Sequence, residues 1–311
     1  MISLGIDTSN YTTSVALYDG GGYVTLRKIL DVKEGMRGIR QSEGVFIHNK
    51  ELPLMLESIL DGVKVNAVGV STKPRNVEGS YMPVFTVGYG YAKAISSALG
   101  VKCYEFSHQD GHIMAGIHSA NAYELLNSPF LSVHLSGGTT EILKSEFNGE
   151  RFHNEIVGGT LDISTGQLID RIGVKMGMKF PCGKELEALA LTTEEIIVLP
   201  YSVKDSYINL SGIETKLISV ISGYDAVIAR TVLIYVSEIM KRAISYAVKD
   251  TGIDKILVVG GVASNSIIRN QLIDEFKDNI YFASGELSSD NAVGISVLTH
   301  IGETKWKKKE L

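Results

Sequence analysis

The sequence predicts an α/β protein built from two related halves with a cleft between them. Three observations carry that reading. Apolar strand patterns alternate with helical ones along most of the chain, which gives a sheet with much parallel pairing. One unit of strand, polar loop, strand, turn and strand occurs twice, near residues 2–30 and again near 129–157, as an internal duplication would produce. Finally, 311 residues suffice for two packed domains of ordinary size.

In chain order, Ile2–Asp7 reads as a strand and Thr8–Thr13 as a polar loop. Ser14–Tyr18 is a second strand, Asp19–Gly22 a turn, and Tyr23–Leu30 a third strand. Asp7 closes a buried strand beside the hydroxyls of Thr8 and Ser9. Such a loop is either an ordinary hairpin or a place for phosphate oxygens or a hydrated cation. Helices are expected over Asn49–Leu60 and Phe85–Leu99, and strands over Asn66–Ser71 and Val101–Phe106. The last strand leads directly into His108-Gln109-Asp110-Gly111-His112. Histidines four apart share one helical face, so both rings can reach one metal ion. The protease pattern H-E-x-x-H has the same spacing but needs Glu as general base, and Gln109 stands in its place.

The second copy of the hairpin runs Pro129–Leu135, Ser136–Thr140, Glu141–Ser145, Asn148-Gly149 and Arg151–Val157. Gly137 and Gly138 let backbone N–H groups approach an anion with no Cβ in the way. Asp162, Gly166 and Asp170 fall four apart and are expected on one helical face, suited to hydroxyls or a cation. Residues Ala188–Lys216 read as peripheral, and Asp225–Val248 as a long helix. Lys255–Val259 is a continuous aliphatic run, as in a buried parallel strand. It ends in Gly260-Gly261-Val262-Ala263-Ser264-Asn265 before a helix over Ser266–Phe276, where α/β sheets place nucleotides. Asp290 opens the last helix; it reads first as a cap, yet it could supply the carboxylate that a two-histidine site lacks. The stretch Lys305-Trp306-Lys307-Lys308-Lys309 is a solvated basic tail that could also touch RNA phosphates.

Composition narrows the function classes. Hydrophobic residues make up 44% and charged ones 21%, a globular balance. A net charge of −5 argues against a molecule built as a whole to bind nucleic acid. Glycine is abundant, 32 against 6 prolines, in keeping with close backbone approaches around phosphates. Cys103 and Cys182 are too few for a disulfide scaffold, which points to a reducing cytoplasm. No leader pattern and no membrane-spanning apolar run is expected.

Taken together, the motifs resemble the tRNA threonylcarbamoyladenosine transferase family (TsaD type), within the actin/sugar-kinase/Hsp70 (ASKHA) superfamily of ribonuclease H-like folds. The resemblance rests on Gly5-Ile6-Asp7-Thr8-Ser9, the helix Val87–Ser97, the pair His108 and His112, and Ser136-Gly137-Gly138. It continues through Gly159-Thr160-Leu161-Asp162 to Asp170, Pro181-Cys182-Gly183, Gly260–Asn265 and Asp290-Asn291-Ala292. It implies two actin-like domains, over 1–110 and 111–311, around a nucleotide and metal cleft. A helical insertion is expected at about 160–220, and a C-terminal helix, about 288–304, is expected to pack back on the first domain.

By the same resemblance, His108, His112 and Asp290 bind one divalent metal, iron or zinc. Leu135, Ser136, Gly137, Gly138, Thr139, Asp170, Gly183 and Asn265 hold the nucleotide, which is threonylcarbamoyl-AMP, AMP or ATP. Asp7, Thr8 and Ser9 are a further candidate phosphate loop. The implied reaction moves threonylcarbamoyl to N6 of the adenosine beside the anticodon of tRNA, metal-assisted and without a covalent nucleophile; Cys182 is read as a packing residue. Implied partners are tRNA, a paralogous dimerisation subunit and a small ATPase subunit, with no membrane. The chain departs from the family pattern at Ser107, Gln109-Asp110, Thr139, Gln167, Cys182 and Lys184. Two other readings share these motifs: a carbamoyl transferase for another acceptor, and a non-catalytic nucleotide-binding partner. A scaffold would have no reason to keep the metal triad.

Overall fold

Strand β1 (Ser3–Ser9) is buried along its whole length, and it organises the N-terminal half because it has partners on both edges. The computed structural model describes residues 1–9, 11–30, 39–221, 223, 225–285, 287 and 291–310, with the backbone alone over 306–310. These residues form two units. The first comprises Met1–Tyr123, Phe147–His153 and Glu286–Leu311, the second Glu124–Glu146 and Asn154–Gly285. The division falls after Tyr123 and not at 110, since the histidine helix runs unbroken to Ser119.

In the first unit β1 pairs antiparallel with β2 (Thr12–Tyr18), and β2 with β3 (Tyr23–Ile29). On its other edge β1 runs parallel to β4 (Ala67–Lys73), which in turn lies parallel to β5 (Lys102–Ser107). The expected polar loop Thr8–Thr13 is shorter than the sequence suggested. Thr8 pairs with Thr13 and Ser9 with Thr12, so both strands continue to the turn. The hydroxyls there are used inside the fold: Thr8 donates to the Val84 carbonyl at 3.0 Å and accepts from Gly88 N–H at 3.1 Å. Thr13 donates to Nδ1 of buried His48, whose Nε2 donates to the Ser9 carbonyl, both at 2.8 Å.

His48 lies on helix α1 (Gln41–Leu60), which starts eight residues before the expected Asn49 and carries Pro53 inside it. Helix α2 (Phe85–Leu99) has the expected bounds and ends on Gly100 in the left-handed region. Helix α3 (His108–Ser119) starts in a capping box: Ser107 Oγ accepts from Asp110 N–H at 3.1 Å and the Asp110 carboxylate from Ser107 N–H at 2.8 Å.

The second unit repeats the plan. Its sheet has the order β11-β10-β6-β7-β8-β9, and within it β8-β7-β6-β10-β11 matches β3-β2-β1-β4-β5 of the first. The strands are β6 (Phe130–Leu135), β7 (Thr140–Phe147), β8 (Phe152–Thr160), β9 (Tyr207–Ile208), β10 (Ile256–Val259) and β11 (Ile280–Phe282). As in the first sheet, β6 pairs antiparallel with β7 and parallel with β10. The helices are α4 (Thr165–Lys175), α5 (Gly183–Ala190), α6 (Ser211–Ile218), α7 (Ala226–Thr251) and α8 (Ser266–Phe276). The stretch expected to be peripheral is only partly so. Ile208, Leu210 and Ile213 join the unit's core, because β9 extends the sheet along β8 and α6 closes over it.

The last helix, α9 (Asn291–Glu310), belongs to the first unit and lies against β1, β2, β4 and α3. It includes the backbone of the expected basic tail, whose side chains beyond Lys305 lie outside the described residues. Its approach to α3 depends on two glycines. A Cβ on Gly294 would stand 1.9 Å from the Gly111 carbonyl oxygen, and one on Gly111 3.1 Å from the Asn291 carbonyl oxygen. Among the described residues no helix is long and apolar enough to cross a membrane. Because backbone cannot yield as a flexible side chain can, Gly294→Ala is expected to cost about 3 kcal/mol of stability. A urea midpoint unchanged from that of the native chain would contradict this tight crossing.

Candidate functional site

Parallel strands bring their carboxyl ends to one edge of a sheet, where α/β proteins bind ligands. In the first unit that edge gathers Asp7 from β1, Ser71 from β4 and His108, the residue after β5. Asp7 is 1% exposed, and one carboxylate oxygen accepts from Ser71 Oγ and from His108 Nδ1, the latter at 2.9 Å. Burial works against its charge; the His108 imidazole and the hydroxyls of Ser71 and Ser9 outweigh it and hold the carboxyl below its ordinary range. With Nδ1 donating to Asp7, Nε2 is the His108 nitrogen that presents a lone pair, the arrangement common in metal-binding histidines. The His112 ring lies 4.7 Å from that of His108, centroid to centroid, at 73°.

Asp110, between the two histidines, fixes the helix that carries them. It is fully buried, and beyond the Ser107 cap it accepts two contacts from Asn76 Nδ2, at 2.9 and 2.7 Å, and one from Phe152 N–H at 3.2 Å. The spacing Ser107-x-x-Asp110 could have revealed the cap from sequence. The bonds to Asn76 and Phe152 have no local signal. Asn291, the first residue of α9, was named only as part of the Asp290-Asn291-Ala292 motif: its Nδ2 lies 2.5 Å from His108 Nδ1 and 2.9 Å from Nε2, and among the described residues its buried Oδ1 has no hydrogen-bond partner. Asp290 lies outside the described residues. Among those described, no three His, Cys, Asp or Glu side chains converge as a metal set. Two imidazoles, one aligned by a buried carboxylate, together with an orphaned buried oxygen suit a divalent cation.

Asp7 and Thr8 therefore have separate roles, and the Ser9 hydroxyl serves Asp7. Asp7 faces His108, and the Thr8 hydroxyl is used between β1 and α2.

In the second unit, β6 ends at Leu135 and its loop folds onto the start of α4. Ser136 N–H donates to the Thr139 carbonyl at 2.9 Å, and Thr139 N–H to Ser136 Oγ at 3.0 Å. Gly166 N–H donates to the Ser136 carbonyl at 3.2 Å and Ser164 Oγ to the Gly137 carbonyl at 2.8 Å. A Cβ on Gly166 would meet Gly137 Cα at 2.5 Å, whereas space beside Gly137 and Gly138 is open. The departure Gln167 has a structural role: its side chain accepts from Ser164 N–H at 3.1 Å and completes the α4 capping box.

The expected carboxylate face of this helix is corrected. Ser164 caps α4, so Asp162 precedes the helix and only Gly166 and Asp170 lie on it. Asp162 instead accepts from the N–H groups of Ile163, Leu210 and Ser211. Burial pushes its carboxyl up, but those donors together pull it down to about 2.

Asp170 accepts from Cys182 N–H at 2.8 Å, just before Gly183 opens α5. On α5, Glu187 accepts from Ser266 N–H at 2.7 Å, and Asn265 caps α8 by accepting from Ile268 N–H at 3.1 Å. A Cβ on Gly260, whose φ is +102°, would stand 2.3 Å from the Leu135 carbonyl oxygen, which brings the ends of β10 and β6 together. The Ser136–Thr139 loop is thus tied to α4 through Gly166 and Ser164, Asp170 of α4 to Cys182 just before Gly183, and Glu187 of α5 to Ser266 beside Asn265. Cys182 is wholly buried, and burial, then the Asp170 and Glu185 carboxylates, raise its thiol to about 11.

Two solved structures share this fold over nearly the whole chain. One is the activator of 2-hydroxyisocaproyl-CoA dehydratase from Clostridium difficile, with TM-score 0.56, 17% identity and coverage of 100% of this chain and 98% of that one. The other is a ROK family glucokinase from Streptomyces griseus, with TM-score 0.52, 11% identity and coverage of 96% and 99%. This chain thus shares their fold.

Residues 46–297 match the model of the TsaD family, tRNA N6-adenosine threonylcarbamoyltransferase. A protein of that description from Thermosipho melanesiensis is 26% identical, across 96% of this chain and 93% of its own length. A probable bifunctional tRNA threonylcarbamoyladenosine biosynthesis protein from Methanothermobacter thermautotrophicus is 30% identical, across 96% of this chain and 55% of its own. The chain belongs to the TsaD family.

A thiol so placed is a packing group and not a nucleophile. Cys182→Ala is expected to keep threonylcarbamoyl transfer within about threefold of the native rate, on the order of 0.7 kcal/mol of barrier. A hundredfold loss would assign the thiol a chemical role.

Proposed function

We propose that this transferase moves threonylcarbamoyl from threonylcarbamoyl-AMP to N6 of the adenosine beside the anticodon in tRNA, with one divalent metal held by His108, His112 and Asp290. The observation that carries the metal reading is the His108–Asp7 bond, which leaves Nε2 to face a ligand beside His112. Iron or zinc suits two neutral imidazoles and a carboxylate. When bound, such an ion supplies Lewis-acid polarisation of a carbamoyl or phosphate oxygen.

The chain's own residues supply the rest. Backbone N–H groups of the open Gly137-Gly138 turn, beside the N-terminus of α4, suit the phosphate of the adenylate. The Gly260–Asn265 loop suits the adenosine, and Asp170, tied to the Cys182-Gly183 backbone, suits hydroxyls of the bound intermediate. In the reaction N6 forms a bond to the carbamoyl carbon, the carbon–oxygen bond to phosphate breaks, and AMP leaves with that electron pair as the N6 proton is lost. The mixed anhydride is already activated, so no covalent enzyme intermediate is needed.

We also propose that the protein acts in the cytoplasm beside a paralogous dimerisation subunit and a small ATPase. The Methanothermobacter relative supports joint action with a second component, since this chain spans only 55% of it.

The test is a transfer assay with purified protein, synthetic threonylcarbamoyl-AMP and unmodified tRNA, alone and with the partner subunits. Modified nucleoside is expected with the native chain and a loss of at least about a hundredfold with His112→Ala, on the order of 3 kcal/mol of barrier. Equal product from both chains would remove the metal pair from the mechanism.

A further inference from the structure

A peptide between two glycines turns over at little cost, so the Gly137–Gly138 peptide needs an outside contact to fix the way it faces. The start of α4 supplies one. Ser164 Oγ donates to the Gly137 carbonyl at 2.8 Å, and Gly166 N–H donates to the Ser136 carbonyl at 3.2 Å. Among the described residues the one cis peptide bond is Phe180-Pro181, so both loop peptides are trans. In a trans peptide the N–H points opposite to the carbonyl. With both carbonyls drawn onto α4, the N–H groups of Gly137 and Gly138 turn outward. Both glycines are exposed, and neither N–H has an acceptor among the described residues. The other two amides of the loop are already used, Ser136 N–H on the Thr139 carbonyl and Thr139 N–H on Ser136 Oγ. The loop therefore presents two adjacent amides, an arrangement suited to an anion.

We infer that Ser164 is a positioning residue for the adenylate phosphate. Its hydroxyl holds the Gly137 carbonyl back and so aims the Gly138 N–H at a phosphate oxygen. Without it the peptide is free to turn over, and a carbonyl oxygen then meets the anion where an N–H stood. Ser164 is 3% exposed, and the same Oγ accepts from Gln167 N–H at 3.1 Å, so one hydroxyl serves both the helix cap and the loop. Gly166 orients the Gly137 N–H in the same way but through its backbone. The inference rests on the adenylate reading given above and adds to it the side chain that sets the polarity of the loop.

The experiment is calorimetric titration of the full chain with AMP and, separately, with adenosine, which lacks the phosphate. Native protein, Ser164→Ala, Ser164→Thr and Gln167→Ala are compared. Native protein is expected to bind AMP more tightly than adenosine. Ser164→Ala is expected to weaken AMP by about 10- to 100-fold, the range for a lost hydrogen bond to a charged group, and to leave adenosine within about twofold of native. Ser164→Thr, which keeps a hydroxyl and a helix cap, is expected to restore AMP binding. Gln167→Ala removes the other half of the capping box but leaves Ser164 on the Gly137 carbonyl, and is expected to hold AMP within about twofold. A second readout follows the amides themselves: AMP should shift the Gly137 and Gly138 N–H resonances of native protein, and the Gly138 shift should be lost in Ser164→Ala. AMP affinity unchanged in Ser164→Ala, an equal loss for AMP and adenosine, or a loss of the same size in Gln167→Ala would overturn the role of Ser164 and leave the nucleotide reading standing. Native protein that binds neither AMP nor adenosine, or binds both equally, would overturn the phosphate reading together with it.

Discussion

The carboxylate of Asp7 is the constraint from which the N-terminal unit's site follows. A charge at the end of a central, fully buried strand must be matched by donors, since an uncompensated buried carboxylate is far costlier than any single apolar contact. The fold matches it with Ser71 from the neighbouring parallel strand and with the first residue of α3, His108. That match fixes which nitrogen of His108 carries the proton and which keeps a lone pair. Everything that holds α3 in place then serves the same geometry: the Ser107–Asp110 cap, the anchors at Asn76 and Phe152, and the crossing of α9 through Gly111 and Gly294.

Duplication gives the second unit the same architecture with different chemistry at the corresponding edge. Where the first copy carries a carboxylate two residues before the end of its central strand, the second ends β6 on Leu135 and opens into Ser136-Gly137-Gly138-Thr139. Its polar groups are mostly backbone, and they are held in place by the α4 capping box and by the close approach of Gly166. One unit thus offers neutral nitrogen donors and the other backbone N–H groups, a division that suits a metal and a phosphate ester respectively.

Much of this was legible in the sequence wherever the signal is local. The spans of α2 and α8 follow from apolar periodicity and flanking breakers, and the duplicated hairpin is visible as a repeated order of strand, hydroxyl loop and turn. The histidine pair is legible because helical spacing alone places both rings on one face. Reading failed where a single residue overrides a pattern or where the partner is distant. Ser164 starts α4 two residues after Asp162, so a spacing of four did not mean one face. The hairpin hydroxyls read as a ligand loop because their partners, Val84, Gly88 and His48, come from α1 and the start of α2, far along the chain. The segment before Ser211 read as peripheral because its apolar residues are scattered, yet Ile208 of β9 and Leu210 after it enter the core. Asn291 was read only within the Asp290-Asn291-Ala292 motif, since nothing near it in sequence indicates its contact with His108, 183 positions earlier.

The account stands on His108 presenting Nε2 to a metal while Nδ1 remains on Asp7. Anomalous X-ray diffraction at the metal absorption edge, from crystals of the full chain grown with zinc or iron, tests this most directly. The result expected is a single strong peak at about 2.1 Å from His108 Nε2, shared with His112, with the bond from Nδ1 to Asp7 intact. A peak on Nδ1, with Asp7 released from the ring, or no peak at the histidine pair while metal binds elsewhere, would contradict it.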